Sequence, residues 1–126
     1  MHTNDSIRAR RMLKAAQDAV SFCQGQTVGT LRADRTRALA AIRCLEIVCD
    51  AAEKMTPDFK KANQNIPWRI IAHMRKRMSQ LYFSIDLSVI LETTEHELPH
   101  LITDLTAAIV AEEKEDAAAT EARESA

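Results

Sequence analysis

Glycine, proline and aromatic residues are scarce in this chain of 126: two Gly, three Pro, and one Trp, one Tyr and three Phe. β-Sandwiches, barrels and Gly-looped nucleotide folds depend on frequent turn residues, and these are missing. The three cysteines, Cys23, Cys44 and Cys49, have no C-x-x-C spacing and do not form an even set, so reduced thiols in a cytoplasmic protein are expected. No run of 18 apolar residues occurs, and the opening MHTNDSIRARRMLKAAQDAV lacks a signal-peptide core, so neither membrane insertion nor export is expected. Walker and H-E-x-x-H motifs are absent too, which sets aside P-loop NTPases and zincins.

What is present is Ala, Leu, Ile, Arg and Glu, with 46% hydrophobic and 28% charged side chains. That composition and length suit one all-α domain, an up-and-down bundle of about five helices. A homodimer is a common way for so small a bundle to cover its long helices. The formal net charge of -1 is unevenly divided: residues 1–111 carry three more cations than anions, whereas 112–126 hold two cations and six anions. The expected organisation is a mildly basic helical domain over 1–111 and an acidic, frayed tail over 112–126.

Helical spacing and stop signals divide the body. Asp5 or Ser6 is placed to cap a first helix reaching Cys23, with Ile7, Leu13, Ala16 and Val20 on its apolar side. After Gly25–Gly29, a second helix over Leu31–Met55 carries a stripe of Leu39, Ile42, Leu45 (or Glu46) and Cys49. Thr56-Pro57 closes it, and the polar residues 58–65 read as a loop. A third helix starts at Asn65-Ile66-Pro67-Trp68 and runs to about Phe83; a fourth covers Leu87–Glu95, and a fifth starts near Pro99 and runs to about Glu113.

Three groups of side chains invite a chemical reading. Glu92, Glu95 and Glu97 fit a solvated helix face better than a paired-carboxylate site. His96 and His100, four apart, have Pro99 between them and no third ligand, so no metal site is expected. The third helix is the informative segment. Ile70, Ile71, Met74, Met78, Leu81 and Tyr82 form an apolar arc opposite His73, Lys76 and Gln80, with Arg75 and Ser79 at the margin. A core helix with a solvated basic face accounts for that pattern without any function.

The order of residues adds to this. Asp34, the run Arg43, Leu45-Glu46-Ile47-Val48, Asp50-Ala51, then Ile66-Pro67-Trp68, Met74-Arg75, Tyr82, Ser84-Ile85-Asp86 and Leu98-Pro99 together resemble the HepT family of the HEPN superfamily over about residues 34–109. Cys49 stands where that family usually has glycine. The resemblance implies an all-helical dimer that acts as a metal-independent RNA endonuclease, without a cofactor. It also implies a toxin-antitoxin pairing, in which a nucleotidyltransferase (MNT) antitoxin silences the toxin by transferring AMP to a tyrosine. The family's motif is Arg, four residues, His, one residue, Tyr, with Asn usually following the Arg. By position Arg75 is that arginine and Tyr82 the modified tyrosine, while Gln80 replaces the catalytic histidine and Lys76 the asparagine.

Metal-free RNA cleavage needs a base for the ribose 2′-hydroxyl and an acid for the leaving oxygen, which histidine supplies near neutral pH and a glutamine amide does not. The expected catalytic set is therefore Arg75, Gln80 and Tyr82 in weakened form, with Arg75, Lys76 and Arg77 as RNA-binding cations. His73, two turns before Gln80, is a substitute base only if a dimer cleft brings it into reach. The alternative is a non-catalytic HEPN module that docks RNA or a nucleotidyltransferase. A third reading, an unrelated helical domain, requires the matched spacings to be accidental. Gln80 itself is either natural divergence or a deliberate substitution, and the neighbouring Lys76 and Ser79 favour divergence.

Overall fold

Two long helices rich in alanine form the centre. In α1 (Thr3–Cys23), Ala9, Met12, Ala16, Ala19 and Cys23 are buried at three- and four-residue steps. In α3 (Arg35–Glu53), Ala38, Ala41, Ile42, Leu45, Val48, Cys49 and Ala52 are buried likewise. Small side chains on both seams let the backbones approach closely, and α1 against α3 is the most extensive helix pairing in the molecule. A computed structural model describes the backbone of residues 3–81 and 86–125, with the side chains of all these except 78–81.

Among the described residues there are seven α-helices, one π-helical turn and no strand. The all-α expectation holds, with short helices added between the long ones. Gly25 ends α1 at φ 73°, a left-handed conformation that suits glycine just past a helix C-terminus. Thr27 and Thr30 then cap α2 (Val28–Ala33) reciprocally, each hydroxyl accepting from the other's backbone N–H at 3.1 and 2.8 Å. The single helix expected over Leu31–Met55 is interrupted at Asp34. Its carboxylate accepts from Arg37 N at 3.1 Å and from Arg37 Nε at 3.2 Å, starting α3 afresh.

The polar stretch 58–65 is not a simple loop. Thr56 caps α4 (Pro57–Ala62), with Pro57 in the first turn, so the signal read as a stop is also a start. Phe59 is buried and meets Trp68 edge-on, ring centroids 5.8 Å apart, while Trp68 Nε1 donates to Asn63 O at 3.1 Å. With buried Ile66, that corner fixes where α5 (Trp68–Leu81) begins. Asp5, expected as an N-cap, lies inside α1 and is 1% exposed. It accepts from Thr56 N at 3.0 Å and from the Thr56 hydroxyl, pinning the start of α1 to the α3–α4 junction.

Asp86 caps α6 (Leu87–Glu92), accepting from Ser88 N at 3.1 Å. The break expected before Pro99 is absent. The chain passes through a π-helical turn, Thr93–Glu97, in which Leu98 N–H reaches back five residues to Thr93 O, and continues as α7 (Leu98–Glu124). The register change puts Pro99 at the first turn of α7, where its missing N–H is harmless. Leu98, Leu101, Leu105, Ile109 and Glu112 form the buried stripe of α7, which packs on α1.

The helical body extends slightly beyond residue 111. Ser6 Oγ donates to Glu112 Oε2 at 3.0 Å, and Arg10 pairs with Glu112 at 3.6 Å and Glu113 at 3.3 Å. Helix continues to Glu124, where fraying was expected, although every described side chain after Glu112 is exposed. Three apolar residues placed on core stripes by spacing face outward instead: Ile7, Leu39 and Ile70, at 60, 45 and 49% exposure. Among the described residues no helix is long and apolar enough to cross a membrane.

Candidate active site on α5

Helix α5 lies on α3 through Ile71 and Met74, both buried, and the Cys49 thiol approaches Ile71 O at 3.9 Å. Burial pushes that thiol up to about 11 even though the Arg75 cation nearby pulls it down, so it stays protonated and unreactive at neutral pH. The next residue after Met74 is Arg75, and this seating brings its guanidinium across to α3. Arg75 Nη1 lies 2.8 Å from Asp50 Oδ1 and 2.6 Å from Glu53 Oε2. Asp50 and Glu53 are one turn apart on α3 and present both carboxylates on the face α5 crosses.

All three groups remain about half exposed, so the cluster is accessible to a ligand in solvent. A guanidinium offers five donors in a planar fork, suited to binding a phosphate by two parallel hydrogen bonds. Two carboxylates hold that fork in place, and an anionic ligand must share it with them.

The other expected cations point elsewhere. Consecutive residues turn by roughly 100° on a helix, so Lys76 is exposed beside the cluster and Arg77 faces Glu97 in the π-helical turn, 3.8 Å away. Glu97 Oε2 is buried and has no hydrogen-bond partner among the described residues. His73 is exposed on α5. Gln80 belongs to the last turn of α5, but its side chain lies outside the described residues, as do Met78 and Leu81 of the apolar arc; Tyr82 lies outside them entirely. His96 and His100 are exposed, the former 3.9 Å from Glu95, and no three His, Cys, Asp or Glu side chains among the described residues gather as metal ligands would. Glu92 and Glu95 are exposed at the surface.

Asp50 and Glu53 are the site residues that sequence reasoning missed. Asp50 stood within the run that resembles HepT, yet its i, i+3 spacing with Glu53 says nothing about which cation the pair meets.

A family model for HepT-like ribonucleases matches residues 12–108, a span that takes in α3, α5 and the Arg75 cluster. The chain belongs to the HepT-like ribonuclease family. It is 37% identical over 68 residues to a Thermococcus cleftensis protein named "Probable ribonuclease HepT", covering 54% of this chain and 62% of that one. It is also 26% identical to two Methanocaldococcus jannaschii proteins. With "Putative RNase MJ1216" the match spans 90 residues, 71% of this chain and 74% of the other; with "Putative RNase MJ0127" it spans 105, or 83% and 87%. No solved structure matches the chain.

Proposed function

We propose that this HepT-like protein is the RNA-directed toxin component of a toxin-antitoxin pair, acting as a cytoplasmic homodimer, with Arg75 as its phosphate contact and Lys76 and Arg77 as further RNA-binding cations on the same helix. The observation that carries the reading is the Arg75 cluster, which sits on the surface inside the stretch that matches the family. Arginine there binds the scissile phosphodiester and stabilises the charge that develops on it.

Cleavage without a metal requires the 2′-oxygen to lose its proton and attack phosphorus while the 5′-oxygen leaves with a proton. Gln80 can hydrogen-bond a phosphate or a hydroxyl but carries no usable proton-transfer pKa. Cleavage by this chain is accordingly weak or lost, and RNA binding is what remains.

Tyr82 is the proposed target of a nucleotidyltransferase antitoxin. Its phenolic oxygen attacks the α-phosphorus of ATP, pyrophosphate leaves, and the phenol proton passes to a base. The added phosphodiester brings negative charge to the protein, which repels an RNA substrate. Incubation with a nucleotidyltransferase of this toxin-antitoxin type and ATP should raise the protein's mass by one AMP, and Tyr82→Phe should abolish the gain. RNA affinity should fall on modification and in Arg75→Ala. Adenylylation elsewhere, or RNA affinity indifferent to Arg75, would remove the proposal's support.

The Gln80 substitution specifically favours a second reading, a HEPN module that docks RNA or the nucleotidyltransferase without cleaving anything. It predicts unchanged docking in every variant at position 80.

A further inference from the structure

Asp50, which pairs with Arg75, also lines a cavity of about 290 Å³ between the start of α1 and the middle and end of α3. Four of its lining side chains are cations: Arg8 and Arg11 from α1, Arg43 from α3, and Lys54, the residue capping the C-terminus of α3. Their placement follows helical spacing. Arg8 and Arg11 are three apart, while Arg43, Asp50 and Lys54 are separated by seven and four, so each helix turns one charged stripe toward the gap. Asp50 is the lone carboxylate in the lining, and it is already committed to Arg75 at 2.8 Å.

The cations are incompletely neutralised. Arg8 lies 3.7 Å from buried Asp5, and Arg43 3.3 Å from Glu46. The side chains of Arg11 and Lys54 make no ion pair or hydrogen bond among the described residues, and both are exposed. Like charges gathered round one concavity repel one another until an anion enters, so the cavity favours a phosphate-sized anion with hydrogen-bonding oxygens. A second cavity, on the other side of the start of α1, has the opposite character: Asp5, Asp58, Glu112 and Glu115 line its roughly 530 Å³. A polyanion crossing this end of the bundle is therefore steered to one side only.

We propose that the basic cavity is a second phosphate seat for the same RNA strand, so that the strand runs from Arg75 over Asp50 to Arg11 and Lys54. This rests on the RNA-directed reading above. Two seats that share Asp50 at their border suit a ligand carrying successive phosphates, and a lone small anion would fill only one of them.

The test is equilibrium binding of labelled oligouridylates of about four and about twelve nucleotides, lengths within the usual range of single-strand footprints, across a salt series. Wild type is compared with an Arg11→Ala, Lys54→Ala double variant and with Arg75→Ala, each checked for helical content. Removing two phosphate contacts should lower the slope of log affinity against log salt by about 1.4, since single strands release roughly 0.7 ions per contact. The longer oligonucleotide should lose several-fold more affinity than the shorter one.

If Arg75→Ala weakens binding and the double variant does not, the second seat is refuted while the RNA reading survives. If wild type binds no RNA at all, both fall. A double variant that changes sedimentation without changing RNA affinity would make the cavity a contact between copies of this chain, and would overturn the proposal.

Discussion

Replacing Glu53 by Gln probes how Arg75 is held. Glu53 Oε2 lies 2.6 Å from Arg75 Nη1, yet the Glu53 and Arg75 side chains are 61 and 46% exposed. At such exposure water screens the attraction, and an ion pair contributes about 0–1 kcal/mol. An RNA phosphate that takes over the guanidinium has to displace that interaction, and the cost of displacement subtracts from RNA affinity. Glu53→Gln should therefore tighten RNA binding by up to about fivefold, the factor corresponding to ~1 kcal/mol. Fluorescence anisotropy with a labelled oligonucleotide at low salt measures it. The gain should shrink as salt rises and should disappear in an Arg75→Ala background, where no cation remains to be released. Asp58→Asn, which removes a carboxylate remote from Arg75, controls for net charge. An equal gain from Asp58→Asn, or a gain that persists without Arg75, would refute the reasoning. A loss of affinity would refute it as well, because the carboxylate would then be orienting the arginine for RNA.

Asp5→Ala should destabilise the fold by about 2–4 kcal/mol, since it strips the acceptor from both the N–H and the hydroxyl of Thr56 at a buried site; thermal denaturation should show a drop on the order of 10 °C, and a change of only a degree or two would contradict the anchoring role. The hydrogen bond from Arg37 N, followed by the one from its side chain, holds the Asp34 carboxyl below the usual carboxylate range. Its stabilising contribution is thus full above about pH 4, the unfolded value, and is lost as pH falls through the lower folded value. The stability gap between wild type and Asp34→Asn, followed by urea titration, should narrow in that acid window and stay constant at higher pH. Cys49 should resist thiol reagents at neutral pH in the folded protein and react promptly in denaturant, and fast labelling of native Cys49 would contradict its burial.

Features set by local sequence were the readable ones. Ile66-Pro67-Trp68 announces the start of α5 because Pro tolerates a first turn and Trp68 reaches back to Asn63 within the same short segment. The end of α1 at Gly25 was equally accessible. What escaped depends on partners distant in the chain. Asp5 looks like a cap until Thr56 takes its carboxylate, and Thr56-Pro57 looks like a terminator until Phe59 folds onto Trp68. Pro99 reads as a helix boundary because the π-helical turn that accommodates it has no sequence signature. Ile7, Leu39 and Ile70 keep helical spacing yet face outward, since periodicity identifies a stripe without fixing how much of it is covered. Arg75 stood out as a site residue, whereas its carboxylate partners emerge only when α5 is laid across α3.

The proposed Arg75-centred RNA site, disabled for cleavage at position 80, is to be tested by RNA cleavage in chelator. Wild type is compared with Gln80→His and with Gln80→His, Arg75→Ala. Wild type should be inactive or nearly so, restoring histidine should give metal-independent cleavage, and removing Arg75 should abolish it again. Cleavage by wild type at the rate of Gln80→His would contradict the role assigned to Gln80, and inactivity of both would contradict the RNA-cleaving ancestry of the site.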